Sequence, residues 1–131
     1  SDALECGLNS KAALITRGLV EMTRLGTHLG ARRETFSGLA GMGDLILTCT
    51  GELSRNHYVG FELGKGRSLR TILSRMKMVA EGVRTTLSAH NLARREGVEM
   101  PISDEVYHVL YRNRSPRKAI EDLMSRALKP E

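Results

Sequence analysis

Apolar residues recur at helical spacing through almost the whole chain and strand-like alternation is found nowhere, so the fold has to be built from helices. Leu14, Leu19, Met22, Leu25 and Leu29 fall near one face of a long first helix. Asn9 or Ser10 can cap its start, and Gly30 suits the left-handed residue that closes a helix. Shorter helices are predicted around Glu34–Ser37, Asp44–Cys49, Ser54–Leu63, Leu69–Met76, Thr85–Arg95, Ser103–Tyr111 and Pro116–Ala127, with glycine-rich seams between them. Ser103 is a ready cap with acidic residues in the turn that follows, and Ser115-Pro116 puts proline at a first helical position, where its missing N–H costs nothing. Without an internal repeat or a low-complexity linker, residues 1–131 are expected to form one all-α, multi-helix domain.

Size and composition agree with that expectation. A chain of 131 residues can bury roughly two-thirds of its unfolded surface around one core. The hydrophobic share of 40% and charged share of 27% are those of a soluble globular protein, and no apolar run approaches the ~20 residues of a membrane span. Cys6 and Cys49 form no C-x-x-C pair and no secretory leader accompanies them, which points to a reduced, cytoplasmic setting while leaving a disulfide between the two open. The net charge of +5 invites a nucleic-acid reading. Against it, Lys and Arg never run longer than two, as at Arg32-Arg33 and Arg94-Arg95, and aromatics are only 4% with no Trp.

Chemistry is best sought where the sequence contradicts its own packing logic. In "GLAGMGDLILTC", residues 38–49, Asp44 is the sole charge in an apolar, glycine-rich stretch. It is expected to be partly buried, and an unpaired buried charge costs several kcal/mol, roughly, unless it finds a cation or several donors. Two readings stand: an N-cap before Leu-Ile-Leu, or a site carboxylate, toward which Gly38, Gly41 and Gly43 lean by letting backbone or ligand come close. Further on, Ser54-Arg55-Asn56 stands at a helix start, where orphan N–H groups, the positive end of the helix dipole and a guanidinium fork can together hold an anion, with phosphate the natural guest. An ordinary serine cap followed by an exposed arginine is the competing account.

Taken together, "NSKAALITRGLVEMTRLG" from Asn9, "GLAGMGDLILTCTG" from Gly38, "SRNHYVGFELGKG" from Ser54, "MVAEGVRTTLSAHNLA" from Met78 and "GVEMPISDEVYHVLY" from Gly97 strongly resemble the C-terminal domain of bacterial NAD(P)-dependent glycerol-3-phosphate dehydrogenases, in order and in spacing. The resemblance covers essentially the whole chain. It implies the helical domain that follows the Rossmann domain in 6-phosphogluconate-dehydrogenase-like enzymes, with the active site in the cleft between the two. It further implies that Asp44 organises the substrate end of that cleft, that Thr48 lies near the substrate pocket, and that Ser54, Arg55 and Asn56 receive glycerol 3-phosphate or dihydroxyacetone phosphate. Arg55, Val79 and Glu81 match positions associated with NAD or NADP. Otherwise Val79 reads as core, Glu81 as a helix N-terminal charge and Thr48 as polar filler.

The departures matter as much as the matches. No G-x-G-x-x-G fingerprint is present, and the family's catalytic lysine falls upstream of Ser1, so no catalytic base and no metal ligand is assigned in this chain. Lys11 does not match that lysine's position. The resemblance implies a parent reaction in which the lysine moves a proton at the C2 oxygen while hydride passes between C2 and the nicotinamide, interconverting alcohol and ketone for glycerophospholipid precursor synthesis. These 131 residues alone are expected to be inactive, with a phosphorylated triose, their own Rossmann domain and in some settings a homodimer as partners, and no nucleic acid or membrane segment. A helical nucleic-acid-binding module and a structural or oligomer-forming domain are the rival readings.

Overall fold

The structure is a computed structural model that describes residues 1–126. A 3₁₀ turn, Asp2–Leu4, leads into α1 (Gly7–His28), a short α2 (Arg33–Ser37), a π-helical turn (Leu39–Gly43) and α3 (Asp44–Thr50). Then come α4 (Arg55–Gly64), α5 (Leu69–Arg75), α6 (Glu81–Glu96), α7 (Pro101–Tyr111) and α8 (Pro116–Ser125). The described residues form helices joined by turns and short loops, with no strand among them, so the fold is all-α. The expected end of the last helix at Ala127 lies outside the described residues.

Helix ends follow local chemistry where a suitable residue is available. Gly30 takes φ 93° after α1, and the amide of Ala31 donates to Gly26 O at 2.8 Å, so the left-handed glycine closes the helix as its sequence position suggested. Gly97 does the same for α6, with Val98 N–H donating to Ala93 O at 2.9 Å. Ser54 and Ser68 cap α4 and α5 by accepting from the amides of His57 and Thr71, each at 3.2 Å.

Three starts differ from the sequence expectation, all by running earlier. Helix α1 begins at Gly7 behind Cys6 instead of at an Asn9 or Ser10 cap, α6 at Glu81 instead of Thr85, and α7 at Pro101 instead of Ser103. The cap positions of α6 and α7 are Ala80 and Met100, whose side chains accept nothing. Their N–H groups are served from other helices. Asn56 of α4 accepts from Gly82 N–H at 3.0 Å through Oδ1. The buried Glu21 of α1 accepts from Ile102 N–H at 2.6 Å, Ser103 N–H at 3.2 Å and Ser103 Oγ–H at 3.3 Å.

Helix α1 is therefore the organising rod, and its predicted apolar face is inward only in part, with Leu14, Leu19 and Leu25 half-buried. Met22 and Leu29 are exposed, while the buried side chains of α1 are Glu21 and Thr23. Arg17 donates to Leu123 O of α8 at 2.5 Å, and Arg24 donates to Glu99 O before α7. Apolar packing is concentrated elsewhere. Val59, Ile72 and Ala80 form a buried cluster with Leu63, Leu69, Met76 and Val83 around it, and Ala93, Met100, Ala119 and Leu123 are buried along α6 to α8.

Removing the α1 carboxylate leaves the first turn of α7 without acceptors in a buried place. Glu21→Ala is expected to lower unfolding free energy by about 2–3 kcal/mol, and Glu21→Gln, which keeps one acceptor oxygen, by about half as much. Urea denaturation of both variants checks the order; equal and negligible losses would show that water serves α7 instead.

Candidate functional site

Three helix starts bring the sequence-selected residues forward: α3 with Asp44, α4 with Ser54, Arg55 and Asn56, and α6 with Glu81. Helices α3 and α4 are joined by a tight turn in which Gly51 N–H donates to Leu47 O at 2.8 Å and Ser54 N–H to Gly51 O at 3.1 Å. The Asn56–Gly82 bond then pins the first turn of α4 to that of α6. A Cβ on Gly82 would lie 2.7 Å from Asn56 Oδ1, so only glycine allows this approach.

The site residues divide into engaged and free. Ser54 Oγ accepts the His57 amide as the cap of α4 and keeps its O–H as a donor. Asn56 uses Oδ1 on Gly82 and retains its NH₂ group as a donor. Asp44, Arg55 and Glu81 are exposed and make no hydrogen bond or ion pair among the described residues. This corrects the expectation of a partly buried Asp44: the π-helical turn runs through Gly43 straight into α3, the Asp44 side chain caps nothing, and the exposed carboxylate needs no buried cation. Val79 is exposed as well, which sets aside its reading as core.

A cavity of about 510 Å³ lies behind these helix starts, and Thr48, Asn56 and Gly82 line it together. Asp44, Ser54, Arg55, Val79 and Glu81 stand outside its lining, and no bond joins Asp44 to Arg55 among the described residues. Most of the wall is aliphatic, from Leu14 and Ile15 of α1 to Val106 and Leu110 of α7.

One polar group of the same wall escaped the sequence reading. Asp2 receives Lys11 Nζ and His57 Nε2–H on the same Oδ2, both at 2.8 Å, and these two bonds hold its carboxyl below the usual range, at about 2. Asp2 and His57 are 55 positions apart, so no spacing rule could pair them. Lys11, which the family's base does not match, is thus committed to an ion pair. Cys49 lines the cavity nearby, where burial pushes its thiol up, and Cys6 and Cys49 are both free. Among the described residues no group of His, Cys, Asp and Glu could hold a metal ion, and no helix is long and apolar enough to cross a membrane.

Apart from Leu8 and Leu29 of the α1 region, the apolar side chains that are more than half exposed lie in the same segments. Leu39 is 89% and Leu53 99% exposed, and Leu47, Met78 and Val79 are each more than half exposed. Each lies within five residues in sequence of Asp44, Ser54 or Glu81. Unpaired charges interleaved with bare apolar side chains are the composition of a surface made to be covered.

All-α packing with no strand among the described residues defines a helical domain. The chain belongs to the family described as NAD-dependent glycerol-3-phosphate dehydrogenase C-terminus, which matches residues 1–121. It is 63% identical over 131 residues to glycerol-3-phosphate dehydrogenase (NAD(P)+) of Syntrophotalea carbinolica and 62% identical to that of Citrifermentans bemidjiense, in each case covering 100% of this chain and 39% of the relative. The crystal structure of glycerol-3-phosphate dehydrogenase from Coxiella burnetii superposes with a TM-score of 0.94 at 42% identity, covering 96% of this chain and 39% of that one. The chain thus spans about two-fifths of the length of the curated relatives it matches.

The Asp2 cluster generates a pH prediction. A carboxyl whose folded-state pKa is lowered contributes stability that is fully present above its ordinary 3.8 and is lost as pH falls toward about 2. Burial pushes Glu21 the other way, so its contribution is fully present below its ordinary value and is lost as pH rises through the raised one. Asp2→Asn is therefore expected to flatten the loss of unfolding free energy between pH 4 and pH 2, which acid titrations of urea midpoints would read; an unchanged acid limb would mean the cluster adds no stability.

Proposed function

We propose that residues 1–131 form the substrate-binding part of an NAD(P)-dependent sn-glycerol-3-phosphate dehydrogenase, and that its work is to receive the phosphorylated end of glycerol 3-phosphate or dihydroxyacetone phosphate. The observation that carries this reading is the unpaired Arg55 guanidinium at the start of α4, beside the free NH₂ of Asn56 and flanked by exposed apolar side chains. An arginine with no partner at the positive end of a ten-residue helix favours a dianion with three oxygens over any neutral guest. Asp44, free and exposed at the start of α3, supplies the acceptor that a triose hydroxyl needs. Thr48, on the cavity wall beside Asn56, bounds the pocket on the substrate side.

The free residues also suit a dinucleotide. Arg55 can hold a phosphate oxygen of NAD or NADP, the exposed Val79 offers an apolar face, and Glu81 offers acceptors for hydroxyls. When bound, the nicotinamide supplies the hydride acceptor or donor. This chain's part is to orient the triose and, with its apolar rim closed by an N-terminal Rossmann domain, to exclude water from the cleft. The reading places the enzyme in the cytoplasm, at the step that supplies glycerol 3-phosphate to lipid synthesis, with a homodimer compatible and nucleic acid no part of its function.

Two substitutions in the full-length enzyme test the assignment. Arg55→Ala is expected to cost on the order of 2 kcal/mol in kcat/KM for glycerol 3-phosphate, about thirtyfold, and to abolish most of the preference over glycerol, with Arg55→Lys intermediate because it keeps charge and loses the fork. A mutant that retains the wild-type preference would remove Arg55 from the phosphate. Asp44→Asn is expected to lower turnover at least tenfold while unfolding free energy shifts by no more than about 0.5 kcal/mol, since the carboxylate is exposed and unbonded. The reverse pattern, lost stability with intact turnover, would return Asp44 to a structural role.

A further inference from the structure

Three ionisable side chains from three separate elements meet at one oxygen atom behind the anion segment. Asp2 projects from the 3₁₀ turn, Lys11 from the second turn of α1 and His57 from the first turn of α4, and both cationic-type nitrogens lie 2.8 Å from Asp2 Oδ2. At 23%, 32% and 26% exposed, the side chains of Lys11, Asp2 and His57 are too covered for a casual surface pair.

His57 is the residue whose amide the Ser54 cap receives, at 3.2 Å, so the same residue closes the cap of α4 through its backbone and is tethered to Asp2 through its ring. One residue before it, Asn56 is tied to Gly82. Seven residues after it, Gly64 faces the same turn: a Cβ there would lie 2.7 Å from Ala3 Cβ, so the 3₁₀ turn lies directly against α4 at both ends of one helix face. Ser54, Asn56 and His57 are each held by a named partner, and Arg55 among them is held by none. A rigid turn with one free guanidinium is what a preorganised anion contact requires.

We propose that Asp2 is a positioning residue for the anion-binding turn: through His57, with Lys11 as the second donor to its carboxylate, it fixes the first turn of α4 and so the place from which Arg55 reaches its phosphate. This rests on the reading of Ser54–Arg55–Asn56 as the phosphate segment. Asp2 also keeps Lys11 and His57 occupied, so that neither competes with Arg55 for the dianion.

The test uses the full-length enzyme. Asp2→Asn keeps the side chain's shape and removes its charge, and the expected result is a rise of about tenfold in KM for glycerol 3-phosphate, kcat changed less than threefold, and no change in kcat/KM for glycerol, which has no phosphate. A lower Tm with an unchanged KM would overturn the proposal, as would equal losses for glycerol and glycerol 3-phosphate, because both describe a purely structural ion cluster. Should Asp2→Asn fail to fold, His57→Leu and Lys11→Met each cut one tether, and the same two constants decide: a phosphate-selective rise in KM supports the proposal and its absence in both defeats it. Arg55→Ala run beside them separates the layers. If it lowers the preference for glycerol 3-phosphate and the Asp2 and His57 variants do not, positioning alone is wrong; if it leaves the preference intact, the phosphate reading falls and this inference with it.

Discussion

Capping between helices is the constraint on which the rest of this structure depends. A helix start leaves N–H groups without partners, and the cap positions Ala80 and Met100 can satisfy none of them. Asn56 and Glu21 do so from α4 and α1. Each bond therefore fixes the position of one helix relative to another as well as the end of one helix. The Glu21 carboxylate is buried against the cost of desolvation, which its three donors offset only in part, since its carboxyl is still pushed up from the ordinary range.

The candidate site inherits its shape from that arrangement. The Asn56–Gly82 bond ties the segment with Val79 and Glu81 to the segment with Arg55. Glu21, Ser54, Asn56 and His57 each bond within the frame, and Asp44, Arg55 and Glu81 do not. A folded protein normally spends its charged groups on solvent or on one another, and here they alternate with bare Leu39, Leu47, Leu53, Met78 and Val79. Apolar side chains left this exposed are open to contact with another surface.

Much of this was legible from residue order. Ser54 and Gly30 act as their chemistry dictates, because caps and left-handed closures are decided within four or five residues. The starts of α6 and α7 were misplaced for the complementary reason: their caps are 26 and about 81 positions away, so local signals pointed to Thr85 and Ser103 instead. The same applies to α1, where periodicity marked Met22 and Leu29 as inward and tertiary contacts turned Glu21 and Thr23 inward.

By itself the sequence determined that the chain is helical, where most of its helices end, and which motifs, from Asp44 through Asn56 to Glu81, tie it to its family. Those are properties of near neighbours and of residue identity. Only the tertiary structure decided that Asp44 is exposed, that Asn56 serves α6 while Arg55 stays free, and that Asp2, Lys11 and His57 share one oxygen. Exposure and pairing depend on which elements meet across the fold, and no pattern within a window of one helix carries that information.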